Sequence, residues 1–158
     1  MRYFSEVRNL ELSLMDYLVS KFTTDWTGVT VVKTFNDVYA STINLPVVCV
    51  RLAQTNSTRL EVGTDTLWNN YLIIIDVFCR SDAQRLDLSY YIKEQIKLGW
   101  VHYDYSHKSG DNTTLEKSAN GTDYISKFLS DAKVEIGSSS DEKDKYRQTI
   151  SFTVRKNI

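Results

Sequence analysis

The sequence predicts an α+β fold: one domain with a mostly antiparallel sheet, two flanking helices and a C-terminal β-hairpin. Two segments repeat apolar residues at helical spacing, and several others are rich in β-branched and aromatic residues. The strand-like segments follow one another in runs instead of alternating with helices, which is typical of α+β proteins. The length of 158 residues fits one domain of ordinary size, so residues 1–158 are treated as a single domain.

The first predicted element is an amphipathic helix from Phe4 to Phe22. Ser5 stands where an N-cap is expected, and Glu6 is favourable in the first turn because its charge complements the helix dipole. The polar residues 23–25 end the helical pattern. The apolar stripe of this helix consists of Val7, Leu10, Leu14, Tyr17 and Leu18.

Three or four strands are predicted before the second helix. Residues 30–35 are β-branched and aromatic, and residues 36–45 form a polar connector. The apolar run VVCVRLA of residues 47–53 predicts a buried strand, and Gln54–Thr58 is expected to be a turn. Residues 59–62 can add a short strand before a turn at Gly63.

Leu67–Arg80 is the strongest predicted strand. Both of its faces are mostly apolar, so it is expected to be central and covered on both sides over part of its length. One face is expected to carry Tyr71, Ile73, Ile75, Val77 and Cys79, and the other Leu72, Ile74, Asp76, Phe78 and Arg80.

A second amphipathic helix follows this strand directly. Ser81 and Gln84 have the spacing of a capping box, with Ser81 as N-cap and Gln84 reaching back. Gly99 is expected to end the helix region. Its predicted inner face consists of Leu88, Tyr91, Ile92, Gln95 and Ile96.

Strands are expected again after Gly99, separated by a long polar segment. Residues 100–106 read as a strand, and residues 106–123 are predicted to be a long polar loop because they show no apolar periodicity. Residues 124–137 and 145–156 alternate in polarity and predict an antiparallel hairpin with one wet face, joined by the turn of residues 138–144.

Composition excludes few classes of protein. The formal net charge of −1 and the pI near 6.1 give no electrostatic reason to expect nucleic acid or an anionic membrane as a partner. The longest apolar run, Tyr71–Ile75, is too short for a membrane helix, and no secretory leader is recognisable, so we expect a soluble protein made in a cytoplasm. Cys49 and Cys79 are expected to be buried thiols because each lies in an apolar run.

Asp76 is the first candidate for chemistry because it interrupts an apolar strand. A carboxylate there could act in acid–base or metal chemistry, as in a small metal-dependent nuclease. We favour a structural role, in which Asp76 pairs with Arg80 or with an arginine of another strand, since buried charges are usually paired. Asp76, Arg80, Ser81 and Gln84 are therefore interpreted as polar residues that hold the fold.

His102, Asp104 and His107 are the second candidate, for a metal site. His102 and Asp104 would share one face of a strand, and His107 could approach from the loop. Two histidines without cysteine give no recognised ligand spacing, so we expect surface residues here and no metal or cofactor. No phosphate-binding glycine loop, nucleophile elbow or Cys-x-x-Cys motif occurs in the sequence, and no catalytic residue is expected.

The segment RLEVG at Arg59–Gly63 and the segment YLIIIDVFCRSDAQRLDLSYYIKEQI at Tyr71–Ile96 resemble the tail terminator and tail-completion (head–tail joining) proteins of long-tailed bacteriophages. Members of this family often have an N-terminal helix, an apolar strand interrupted by Asp, a polar turn, an amphipathic helix and a final β-hairpin. Residues 107–123 are longer than the family pattern leads us to expect.

The resemblance implies a structural virion protein of the tail or neck, without enzymatic activity and assembled in the host cytoplasm. It implies a ring, usually a hexamer, that caps the tail tube and binds the head–tail connector or stopper protein. DNA would pass through the lumen without specific binding, and no membrane is involved. The loops proposed for the lumen or the interfaces contain Asp111, Asn112, Glu116, Lys117, Asp141, Glu142 and Asp144.

Three alternatives to the tail terminator stay open at this point. The chain could be another neck or head-completion protein of the same assembly. It could be a cellular protein-binding module of similar α+β build, or, less favoured, the nuclease that would use Asp76.

Overall fold

The computed structural model describes residues 4–63, 65–135 and 142–157. It confirms the α+β prediction, with both predicted long helices and an added short one. The helices are α1 (Glu6–Asp25), α2 (Phe35–Val38) and α3 (Asp82–Ile96), and a 3-10 turn spans Glu142–Asp144. The strands are β1 (Thr30–Val32), β2 (Val47–Arg59), β3 (Leu67–Cys79), β4 (Trp100–His107), β5 (Leu115–Asp123), β6 (Ile125–Val134) and β7 (Tyr146–Asn157).

The strands form two sheets. The large sheet has the order β1-β2-β3-β7-β6, and β4 and β5 form a separate two-stranded sheet. Among the described strands of this sheet, the short pair β1–β2 is parallel and the other pairs are antiparallel, so the expected mostly antiparallel sheet is confirmed.

The main core lies between one face of the large sheet and the helices α1 and α3. Alternate residues of β3 supply its centre because successive side chains of a strand point to opposite faces. The predicted inner face of β3 is confirmed by the burial of Tyr71, Ile73, Ile75, Val77 and Cys79 in this core. The helices contribute Leu10, Leu14, Leu18, Leu88, Ile92 and Ile96, and β7 contributes Ile150, Phe152 and Val154.

The opposite face of the large sheet is covered at one end only. There α2 and the segment before β2 close a small cluster around Phe78 and Cys49. Further along β7, the outward side chains Thr149, Ser151 and Thr153 are only partly buried, so this face is wet as predicted. We call this face the open face.

The helix caps follow the sequence. The hydroxyl of Ser5 accepts a hydrogen bond from the backbone N–H of Arg8, and that of Ser81 accepts one from Gln84. Gln84 Oε1 accepts from the N–H of Arg80, one residue before the N-cap, so the expected capping box is displaced by one residue.

Two predictions about the early strands are wrong. Gln54–Thr58 is not a turn: β2 continues to Arg59, after a bulge between Leu52 and Gln54, because its polar second half pairs with the first half of β3. The strand predicted for residues 30–35 ends at Val32, because Thr34 caps α2 by accepting from the N–H of Asp37.

The prediction of a long polar loop over residues 106–123 is also wrong. Leu115–Asp123 forms β5, which pairs antiparallel with β4, and only residues 108–114 remain as the connection. Every β5 residue before Asp123 is exposed, so the strand has no alternating polarity in its sequence. Backbone hydrogen bonds to β4 hold it instead.

Candidate assembly surface

One edge of the large sheet is β6, whose outer side has no strand partner among the described residues. Almost all of β6 is exposed, and Phe128 and Leu129 keep 39% and 49% of their surface open to solvent. Two irregularities, after Ile125 and after Phe128, interrupt its register with β7, and the pairing is regular from Ser130 to Val134. An exposed edge of this length presents unpaired backbone groups that another strand can bind.

The other edge of the large sheet is the second part of β2. β1 pairs only with Val47, Val48 and Cys49, so β2 has no outer strand partner from Val50 to Arg59 among the described residues, although Glu11 of α1 accepts a hydrogen bond from the backbone of Leu52. From Ala53 onward β2 is exposed, and its hairpin with β3 extends beyond the core. Val62, in the turn of this hairpin, is completely exposed.

The turn that carries Asp111 is ordered by its own side chains. The carboxylate of Asp111 accepts hydrogen bonds from the backbone N–H of Thr113 and from the hydroxyls of Thr113 and Thr114. These bonds, from Thr113 first, hold the pKa of Asp111 well below its usual range. Asn112 is exposed beside it. The turn is therefore an exposed, structured tip of the small sheet.

Glu116 and Lys117, also predicted for an interface, lie on β5 next to this tip. Glu116 is exposed, whereas Lys117 pairs with Asp16 of α1 at 3.0 Å and lies over the ring of Tyr103. Lys117 thus helps to fix the small sheet on α1, in addition to any external contact.

The predicted lumen or interface residues fall in two groups, one around Asp111 and one that includes Asp144, and the structure does not bring these two groups together. Asp144 accepts a hydrogen bond from Tyr39, next to α2 at the open face, whereas the small sheet packs on α1 at the opposite face. Asp141 lies outside the described residues, and the side chain of Glu142 is also outside them. The two sets therefore belong to different surfaces of the molecule.

Both carboxylate oxygens of Asp76 accept hydrogen bonds from side chains of the neighbouring strands. Its Oδ2 lies 3.1 Å from Arg51 Nε, and its Oδ1 accepts from Arg147 at 2.9 Å and from the Thr149 hydroxyl at 2.8 Å. The partners are arginines of the neighbouring strands, one of the two pairings expected. Arg80 instead donates to the carbonyl of Leu45.

A buried polar network joins the small sheet to both chain ends. His102 is buried, and its Nδ1 lies 2.8 Å from Asp123 Oδ2 and 2.9 Å from Lys156 Nζ. Lys156 also lies 2.9 Å from Glu6 of α1. The sequence reading missed Asp123, Lys156 and Glu6, because residues from four separate elements meet here without any shared motif.

The surface position expected for His102, Asp104 and His107 is wrong for His102. His102 is not a surface residue, and its Nε2 lies 3.7 Å from Asp104 Oδ1. His107 packs edge-on against Phe4 instead. Among residues 4–63, 65–135 and 142–157, no group of three or more His, Cys, Asp or Glu side chains is placed to hold a metal ion.

A groove of about 400 Å³ lies between α1 and the small sheet. It is lined by Tyr17, Lys21, Trp100, Tyr103 and Lys117, among others. Lys21 lies over the ring of Tyr17, and Lys117 is paired with Asp16. These contacts make the groove part of the packing between α1 and β4.

No protein-family model matches the chain, and no curated protein matches it in sequence. Across the described parts of the chain, none of the helices has the length and apolar character needed to cross a membrane.

Proposed function

We propose that this chain is a structural virion protein of a bacteriophage tail or neck, which forms a ring that caps the tail tube and joins it to the head connector. The observation that carries the proposal is that, among the described residues, two edges of one sheet have no outer strand partner: β6 and the second part of β2. Such edges are usually blunted or covered in monomeric proteins, and a closed ring covers both at once.

The sequence resemblance supports the same role. Its apolar strand interrupted by Asp, its polar turn and its amphipathic helix correspond to β3, Ser81 and α3. The ring is part of the proposal, with six copies as the resemblance implies, and so is the virion as its location.

Contacts outside the ring are proposed for two turns. The Asp111–Asn112 turn and the Asp144 turn belong to different surfaces, so one of them can face the tail tube or connector while the other faces the lumen. Acidic groups suit a lumen because they do not attract the DNA backbone. A neck or head-completion protein of the same assembly would use the same features, and it is the alternative closest to this proposal.

A nuclease that uses Asp76 is not favoured by the geometry. A metal-binding carboxylate needs free lone pairs, whereas Asp76 accepts hydrogen bonds from two arginines and a threonine. The two guanidinium groups would also repel a divalent cation. We therefore propose a role without catalysis.

The experiment is to image the purified chain by negative-stain electron microscopy, alone and with purified tail tubes, and to weigh the particles by mass photometry. We expect rings alone or at the ends of tubes. Leu129→Asp, at the β6 edge, should abolish them, whereas Leu86→Asp, on the exposed side of α3, should not. A chain that stays monomeric and ignores the tubes contradicts the proposal.

A second experiment concerns the Asp111 tip. Shortening residues 109–113 to a two-residue linker keeps β4 and β5 and removes only the turn. Rings of this variant should form but should fail to bind the tube or the connector. Normal binding to both would exclude this tip as a contact.

A further inference from the structure

We infer that the copies in the ring join head to tail, the β6 edge of one copy pairing antiparallel with the Val50–Arg59 edge of β2 in the next. This inference rests on the ring proposed above and specifies which edges build it. The partner of each edge is thus a second copy of this chain. The argument uses strand direction, strand length, charge and exposed apolar surface.

Strand direction is the first step. β3 runs opposite to β2, β7 opposite to β3, and β6 opposite to β7, so β6 runs opposite to β2. Suppose that neighbouring copies are related by the rotation of the ring and that their sheets form one continuous sheet. Then β6 of one copy lies beside β2 of the next copy, and the two strands run in opposite directions. The contact is therefore an antiparallel pair, the more stable of the two arrangements per residue.

Strand length is the second step. β6 has 10 residues, and the part of β2 left uncovered by β1 runs from Val50 to Arg59. The regular stretches are Ser130–Val134 in β6 and Gln54–Arg59 in β2. Each edge therefore offers a straight segment beyond its bulge to pair with the other.

Charge does not oppose the contact. Lysine on an edge strand is a common device against edge pairing. Here Asp131 already pairs with Lys93 at 3.0 Å, and Lys133 lies 3.8 Å from Asp82, so both side chains interact with α3 of their own subunit. Lys127, the third charged residue of β6, lies in its irregular part, before Ser130. In the facing stretch of β2, Gln54–Thr58 carries no charge, and Arg59 stands at its end.

Exposed apolar surface is the last step. Phe128 packs with a tilted ring against Phe152 at the rim of the main core and remains partly exposed, and Leu129 is exposed beside it. A strand and helix of the next copy, placed along β6, would cover this rim. The contact would bury apolar surface as well as backbone groups.

The test uses engineered cysteines and the two faces of the sheet. Ala132 lies on the open face, in one row with Thr149 and Asp76. Gln54, Asn56 and Thr58 lie on the same face, because they pair with Leu72, Asn70 and Trp68 of β3. Thr55 and Ser57 point to the other face and serve as matched controls.

Ala132→Cys is combined in turn with Gln54→Cys, Asn56→Cys and Thr58→Cys, and mild oxidation is followed by non-reducing gel electrophoresis and mass photometry. At least one of these double variants should give a ladder of disulfide-linked multimers ending at the ring. The combinations with Thr55→Cys or Ser57→Cys should not, and Ala132→Cys alone should stay unlinked.

Dimers from Ala132→Cys alone would show a symmetric β6–β6 contact and overturn the inference. Equal cross-linking of the control pairs would overturn it as well. Rings without a cross-link in any of the three pairs overturn the inference but leave the proposed function intact. Absence of rings, alone and with tail tubes, contradicts both.

Discussion

Arg147 Nη2 lies 2.9 Å from Asp76 Oδ1, and the side chain of Asp76 is completely buried. Arg51 binds the other carboxylate oxygen at 3.1 Å. Arg51 and Arg147 also lie over the ring of Phe35, so the ion pairs are packed between aromatic surface and the sheet. The carboxylate of Asp76, on β3, thus links β3 to β2 and to β7 at the open face.

Replacing Asp76 by Asn should strongly destabilise the fold. The amide keeps the shape but removes the charge that neutralises two partly buried guanidinium groups, and breaking a buried pair costs about 3–5 kcal/mol. The free energy of unfolding from urea titration measures the effect. Asp87→Asn, at an exposed position of α3, is the control and should change it by less than about 0.5 kcal/mol. Equal effects of the two changes would contradict a structural role of Asp76.

Gly99→Ala should destabilise more than Gly110→Ala, although both glycines have a positive φ, of 82° and 81°. A Cβ at Gly99 would lie 2.7 Å from the Tyr124 ring and 2.9 Å from the Asp123 carbonyl oxygen, whereas one at Gly110 meets nothing within 4 Å. Gly110→Ala should cost about 1 kcal/mol from backbone strain alone, and Gly99→Ala about 3 kcal/mol. Thermal unfolding measures both.

Tyr124→Ala provides the control for that clash. In its background Gly99→Ala should cost less than in the wild type, but still more than Gly110→Ala, because the Asp123 carbonyl remains. An unchanged cost would show that Tyr124 moves aside without penalty.

Glu11 should make stability fall as the pH rises above 4.5. Burial raises the pKa of Glu11 above its usual value of 4.5, against the opposing effects of Lys33 and of the hydrogen bond from Leu52. Because the folded state holds this proton more tightly than the unfolded state, the favourable contribution is complete below the unfolded pKa and is lost as pH rises through the folded pKa.

Glu11→Gln removes this dependence. The difference in the free energy of unfolding, Glu11→Gln minus wild type, should therefore increase between pH 4.5 and neutral pH. Urea titrations at a series of pH values measure the difference. Glu116→Gln, on exposed β5, is the control and should leave the pH profile unchanged. A flat difference for Glu11→Gln would contradict the effect of burial.

Cys49 and Cys79 should not react with thiol reagents while the protein is folded. Burial raises the pKa of Cys49 to about 11 and that of Cys79 to about 12, and only the thiolate is a nucleophile. At pH 8 a disulfide reagent such as DTNB should label neither thiol until denaturant is added, and then both. Leu86→Cys, on the exposed side of α3, should add one thiol that reacts at once. Rapid labelling of the native wild type would contradict this burial.

Local patterns in the sequence were sufficient for the long helices and for β3. Ser5 and Ser81 mark helix starts because a hydroxyl can satisfy a free N–H without help from the rest of the chain. The two faces of β3 could be read because alternation with period two follows from the strand itself. The pairing of Asp76 with arginine was expected, although the choice of Arg51 and Arg147 over Arg80 was not determined.

Patterns in the sequence did not predict the strands that are held by backbone hydrogen bonds alone. β5 and the second half of β2 expose nearly all of their side chains, so no buried face imposes a pattern on their residues. Their hydrogen bonds come from β4 and β3, and every residue type except proline can supply both a backbone N–H and a carbonyl.

The sequence by itself therefore determined the fold class, the helix starts and the buried face of the central strand, because each depends on residues close together in the chain. Only the tertiary structure decided that, within the described residues, the sheet has two edges without a strand partner and that Lys156 contacts Asp123 and His102 next to α1. Edges and long-range ion pairs depend on the order in which strands align, and strand order is set by the packing of the whole chain.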